Sequence, residues 1–524
     1  MSRSLRIVVG VAVVLLCLPL VAVLAAPFLI AAPQWDYVGG DFLWQHVYGT
    51  LLLLAGTVLI ALLLGVCSAW CVAALDFPGR KFFSWVFVLP LALPTYISAL
   101  AFAGVFGPTG SFSIALHDLV GVRTDIMSLP GLCLVLALVL FPYVYLPARA
   151  AFGAGLTDVM EASRVLGASP VRRFLEVALP LARPAIVGGA LLVGMETLNE
   201  FGAVKYFGLD TITTGIFQSW GGLRDKGSAL RLAAVLLILV ATLLATERVL
   251  RRKGLRSTDH RTMKRMVLRG AARWWTLVAC ALLFFFSSAL PLAVLLRDAL
   301  ATADADHLAG IVSATGNTLY VGAWAAAITL VIALVIAWSE RSMRGPSIRL
   351  SWFAQLGYVV PGAVIAVGVM AMAGGLDKQL AAWGVDVQLV LIGSLPLLVY
   401  AFAVRFLAVA AQPINAGLAQ QPVRLDEAAR TLGASPGRTF LRLNLPMLRP
   451  AMIAAVLLTV LEVMKELPLT LIMRPFDFET LSTKVHGFTR IEEVRSAALP
   501  ALVIVLCALV PVLVLDRLQA GKNR

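Results

Sequence analysis

The chain has 524 residues, 60% of them hydrophobic and 14% charged, and its mean hydropathy is +0.90. That composition excludes a water-soluble globular protein and predicts a polytopic membrane protein. The net charge of +14 lies largely in short loops beside apolar runs, where lipid headgroups and topology account for it better than nucleic acid does.

A bilayer core about 30 Å thick needs roughly 20 apolar residues at 1.5 Å each. About twelve stretches meet that length, over approximately residues 7–31, 49–75, 84–106, 129–147, 184–203, 228–247, 274–296, 317–338, 351–374, 388–411, 451–472 and 497–515. The first follows Arg3 and Arg6 like a signal peptide, but its apolar run is longer than a signal core and reads as a retained span. The predicted fold is therefore an all-α membrane protein. The six cysteines fall within predicted spans without a CxxC pair or a His/Cys cluster, which predicts packing residues and neither disulfides nor zinc.

In chain order, the first polar segment of note is EASRVLGASPVRRFLEVALPLARPAI, residues 161–186. Glu161 to Leu166 reads as a helical run that Gly167 ends in the left-handed conformation. Ser169 then supplies an N-cap, with Pro170 at the first position of a second short helix. Pro180 and Pro184 are expected to redirect the chain into the next span. That span carries Glu196 and Glu200, four residues apart and so on one helical face.

The segment 247–273 follows, with ten Arg or Lys residues against Glu247 and Asp259. The positive-inside rule places it in the cytoplasm. With the spans alternating from there, both termini, the Arg80/Lys81 loop, the Arg341/Arg344/Arg349 loop and the segment 161–186 are expected to be cytoplasmic too.

The second part of the chain repeats the first. Residues 427–452, EAARTLGASPGRTFLRLNLPMLRPAM, match 161–186 at 16 of 26 positions without a gap, which is too close for two unrelated loops. Gly433, Ser435, Pro436 and Pro446 stand where Gly167, Ser169, Pro170 and Pro180 do. Thr50 and Trp70 match Thr318 and Trp338, and Pro94 matches Pro361. The predicted organisation is a first transmembrane domain over 1–249 with its loop at about 155–183, a basic cytoplasmic linker over 250–273, and a second domain over 274–524 with its loop at about 421–449. An even number of spans in each half makes this a parallel repeat about an axis along the membrane normal.

Lipid contact would explain the arginines of the repeated loop, but a lipid-facing patch needs charge and not a shape. The paired Glu, Ala, Gly and Pro positions point to a docking surface instead. The second acidic span carries Glu462 and Glu466, matching Glu196 and Glu200. Intramembrane carboxylates mark a functional site by default, and the four could offer oxygens to a hard, highly charged cation in transit. No stably bound metal is expected. Placement near the outer interface, or pairing with Lys465, Lys205 or basic neighbours, would explain the acids equally well.

The pattern EAA, three residues, G, nine residues, I, one residue, LP is the signature loop of ABC importer permeases. The first copy resembles it through Glu161-Ala162-Ser163, Gly167, Val177 and Leu179-Pro180; the second through Glu427-Ala428-Ala429, Gly433, Leu443 and Leu445-Pro446. The resemblance implies two type I importer transmembrane domains in one chain, each loop forming a coupling helix seated on an ATPase subunit, hence two ATPase copies. No GxxxxGK[ST] phosphate loop is present, so ATP and Mg2+ would sit on that partner and this chain would be neither an enzyme nor a cofactor carrier.

Residues 194–220 and 461–485 further resemble the fused permeases of ferric-iron ABC importers, with Asn199-Glu200 where Ala-Asp is usual. The family implies a bacterial inner-membrane site and a periplasmic ferric-iron-binding protein as partner. Outer loops at 32–48, 107–128, 204–227, 299–316, 375–387 and 473–496 are candidates for its docking. Importers of thiamine or polyamines share the plan, and a proton-coupled secondary transporter would share the intramembrane acids but need no coupling loop.

Overall fold

The computed structural model describes residues 3–153, 157–251, 265–302, 305–342, 357–384 and 392–520. Most of the predicted basic linker, the Arg344/Arg349 loop and the start of the first polar loop lie outside the described residues. So do the first residues of the spans predicted at 351 and 388.

Among the described residues, nine helices are long and apolar enough to cross a membrane. Two further spans are bent pairs: Leu129–Leu140 with Pro142–Gly153 at 46°, and Pro436–Met447 with Arg449–Lys465 at 71°. Ala498–Leu509 is a shorter apolar helix. Each predicted apolar run falls on one of these, and the fold is the expected all-α polytopic one. The run 84–106 is broken by proline: Arg80–Val86 gives way to a 3-10 turn at Leu89–Ala92 before Thr95–Phe106. All six cysteines are free thiols.

The chain forms two compact units. One comprises Met1–Val38, Ile216–Leu237 and Ala301–Arg524. Within it the long helix Ala305–Ser342 packs on Leu395–Ala419 and Arg449–Lys465, while the first helix, Arg3–Leu29, lies along Gly362–Ala382. Gly368 makes that approach possible, because a Cβ there would stand 2.5 Å from the Pro19 carbonyl oxygen. Tyr400 adds a hydroxyl donated to the Leu15 carbonyl at 2.5 Å.

The other unit comprises Gly39–Gly215 and Ile238–Leu300. Here Leu43–Ala74, Pro142–Gly153 and Leu179–Asn199 pack together, and two short parallel strands pair Leu75 with Met266 and Asp76 with Val267. In lipid, apolar surface alone does not drive helices together, so small residues must let them close up. Gly65 and Gly189 do so around Val144: a Cβ on Gly65 would lie 2.6 Å from the Val144 Cβ, and one on Gly189 2.7 Å from its Cα. The matching residues of the second half are Ala333, Ala455 and Ala410, all buried. One large and two very small residues are thus exchanged for three small ones.

Candidate functional site

The two repeated loops have one conformation. Thr157–Val165 and Val423–Thr431 end on Gly167 and Gly433, at φ +79° and +81°, in the left-handed region that a side chain enters only with strain. The amides beyond close the same turn: Ala168 donates to Ser163 O and Ala434 to Ala429 O, each at 3.0 Å. Ser169 Oγ then accepts the Arg172 amide at 3.3 Å and Ser435 Oγ the Arg438 amide at 3.4 Å, with Pro170 and Pro436 opening the short helices that follow. This is the hinge expected from the sequence.

The redirection expected at Pro180 and Pro184 does not occur in the first copy. Phe174–Ala178 is a π turn, and the helix runs on from Pro170 to Asn199. Pro180 falls in the first turn after that π turn, where a missing amide costs little. In the second copy the 71° bend comes later, at Leu448 next to Pro450.

Glu161, Ala162, Ser169, Pro170 and Pro180 are exposed, as are Glu427, Ala428, Ser435, Pro436 and Pro446. So are Leu166 (85%) and Leu432 (88%), each just before its glycine. An isolated exposed leucine is ordinary, but two at matching positions, on loops that also expose matching carboxylates, give both loops the same exposed apolar and acidic residues. The undersides hold the loops in place: Phe174 lies 4.9 Å from Trp70 and Phe440 stacks at 5.9 Å on Trp338, ring centre to ring centre.

The four intramembrane acids do not have equal surroundings. Both acidic helices stop at the second acid of each pair, although the spacing predicts one continuous helix through both acids. Glu200 and Glu466 have ψ of 124° and 117°, and each begins a new helix, Gly202–Tyr206 or Pro468–Met473. The reason is local. Each buried carboxylate accepts an amide three residues on, Ala203 N at 2.9 Å and Leu469 N at 3.1 Å, capping the new helix as an Asp or Ser would.

Thr95, at the first turn of its helix, donates its hydroxyl to Glu200 Oε2. Its counterpart in the second half is Gly362, and the space is taken by Arg405. The Arg405 Nε stands 3.1 Å from Glu466 Oε2 with both side chains buried, and its Nη1 donates to Val360 O at 2.9 Å. A Cβ on Gly362 would meet Glu466 Oε1 at 2.3 Å. Of the first acid in each pair, Glu462 pairs with Lys465 at 3.1 Å, and Glu196 is half-buried. Among the described residues no three His, Cys, Asp or Glu side chains gather to hold a metal ion. Arg405 was missed in the sequence, although an arginine inside LVYAFAVRFLAVAA is as costly in a bilayer as the acids are.

The family described as the inner membrane component of binding-protein-dependent transport systems matches residues 61–246 and 329–521. The chain belongs to that family. It is a permease, a multi-pass inner-membrane transport subunit, and its family's systems work with a binding protein. The match in two stretches covers both copies of the loop. Among relatives, the Fe(3+)-transport system permease protein of Haemophilus influenzae is 26% identical over 479 residues, 89% of this chain and 88% of the relative. The molybdenum transport system permease protein of Escherichia coli K12 is 32% identical over 31% of this chain and 71% of its own length. The sulfate transport system permease protein of Salmonella typhimurium is 28% identical over 33% of this chain and 62% of its own.

Proposed function

We propose that this permease imports ferric iron handed over by a periplasmic ferric-iron-binding protein, driven by ATP hydrolysis on two ATPase subunits. One ATPase would dock on each repeated loop. Residues 1–249 and 274–524 would act as two transmembrane domains joined by the cytoplasmic linker 250–273, with both termini in the cytoplasm. ATP and Mg2+ would be bound by the partner and not by this chain.

The observation that carries the coupling reading is the duplicated hinge. Two loops share the same left-handed glycine and Ser-Pro cap, and present Glu161 with Leu166 and Glu427 with Leu432 to solvent. A proton-coupled carrier has no use for two such surfaces. For the cargo, support comes from the Fe(3+) relative, which aligns over nearly the whole chain, and from Glu196, Glu200, Glu462 and Glu466, hard oxygen ligands suited to transient contact with Fe3+.

Arg405 favours a second reading, because its guanidinium beside Glu466 offers a contact for an oxyanion. The test is uptake by vesicles holding the permease, its ATPase and its binding protein. Radioactive iron(III) should accumulate in competition with unlabelled iron alone, and not with molybdate, sulfate, thiamine or putrescine. Accumulation of molybdate or sulfate in its place would overturn the iron assignment and leave the importer reading standing.

A further inference from the structure

The two loops agree in conformation but differ in how they are fastened. In the second half, Arg341 Nε donates to Asp426 Oδ2 at 2.6 Å, and its guanidinium also reaches the carbonyls of Leu418 and Gln421, both at 3.1 Å. The other Asp426 oxygen accepts from Asn444 Nδ2 at 3.0 Å, and Asn444 and Gln421 bond each other through side chain and backbone. Asp426, Gln421 and Asn444 are buried. A charged, forked network of this kind fixes direction as well as distance.

In the first half the positions matching Arg341, Asp426 and Asn444 hold Ala73, Met160 and Ala178. Met160 and Ala178 are buried. At these three positions the first loop is therefore seated by apolar contact, which tolerates sliding, where the second is seated by directed charge.

Arg341 lies near the end of the uninterrupted, proline-free helix Ala305–Ser342. Far along the same helix, Asn317 Nδ2 donates to Glu479 O at 3.0 Å and Thr318 Oγ1 accepts the Leu481 amide at 2.9 Å. From Thr318 to Arg341 the helix rises about 35 Å, more than the hydrocarbon core. The first half repeats this tie, with Thr50 Oγ1 accepting the Ile212 amide at 2.9 Å, but holds no charged residue at the positions matching the clamp.

Building on the coupling role proposed above, we infer that Arg341 and Asp426 make the second loop one rigid body with the helix Ala305–Ser342. They are positioning residues, through which ATPase movement at the second loop reaches the turn at Glu479–Leu481, while the first loop follows more loosely.

The test replaces the clamp by the residues of the first half, as the triple variant Arg341→Ala, Asp426→Met, Asn444→Ala, in vesicles with ATPase and binding protein. An apolar replacement of a whole buried ion pair is tolerated far better than loss of one partner. The variant should keep its ATPase and hydrolyse ATP, but import per ATP hydrolysed should fall about tenfold, a typical coupling between sites. An unchanged ratio in the triple variant would overturn the proposal. Should the triple variant not assemble, Asp426→Asn, which keeps the side-chain shape, decides by the same ratio: a fall supports the clamp and no change overturns it. Glu427→Lys in parallel separates the two ideas, since full uptake there defeats the docking role itself, whatever the clamp does.

Discussion

Replacing Glu161 and Glu427 together by lysine is expected to lower ATP-driven uptake by about 100-fold or more. The estimate follows from reversing a charge at each docking surface, where loss of a hydrogen-bonded interface charge costs roughly 2–5 kcal/mol, and about 1.4 kcal/mol is a factor of ten. Both carboxylates are exposed on their loops, so the fold should tolerate the change. The variant should enter the membrane in normal amount and fail to retain the ATPase on purification. Uptake within twofold of the unaltered permease, with the ATPase retained, would remove the docking role from these residues.

The largest effect on stability is expected at Arg405. Arg405→Met leaves Glu466 buried without its guanidinium and opens the bond to Val360, in the unit where Gly362 has been kept bare to admit the pair. Breaking one side of a buried pair costs about 3–5 kcal/mol. For a folding unit of this size that amounts to a fall in Tm of about 10 °C, measured on purified protein in detergent. Glu466→Gln should be milder, because a glutamine oxygen can still accept the Leu469 amide that caps the new helix. Equal melting of Arg405→Met and the unaltered chain would contradict the placement of this pair.

What was legible in the sequence was what is encoded locally. Spans announce themselves by length and hydropathy, and the Gly-Ala-Ser-Pro hinge by residues that act within one turn of themselves. That is why the left-handed turns at Gly167 and Gly433 and the caps at Ser169 and Ser435 can be read from the sequence. The acids at 200 and 466 stand out because charge in an apolar run is conspicuous, but their capping of a second helix is hidden, since the breakers Gly202 and Pro468 come two residues after the acid and Gly194 lies within the helix without ending it. Their partners were hidden for another reason. Arg405 meets Glu466 across 61 residues of chain and Arg341 meets Asp426 across 85, and such pairings are set by helix packing. The packing of Arg3–Leu29 on Gly362–Ala382 is long-range in the same way.

The most direct measurement of the whole account is the energy source of transport. Vesicles containing this permease, its ATPase and its binding protein should accumulate iron(III) when ATP is supplied on the face bearing the two loops, with no imposed ion gradient. Accumulation should stop when the ATPase is left out. Equal uptake driven by a proton gradient in vesicles without the ATPase would contradict the account.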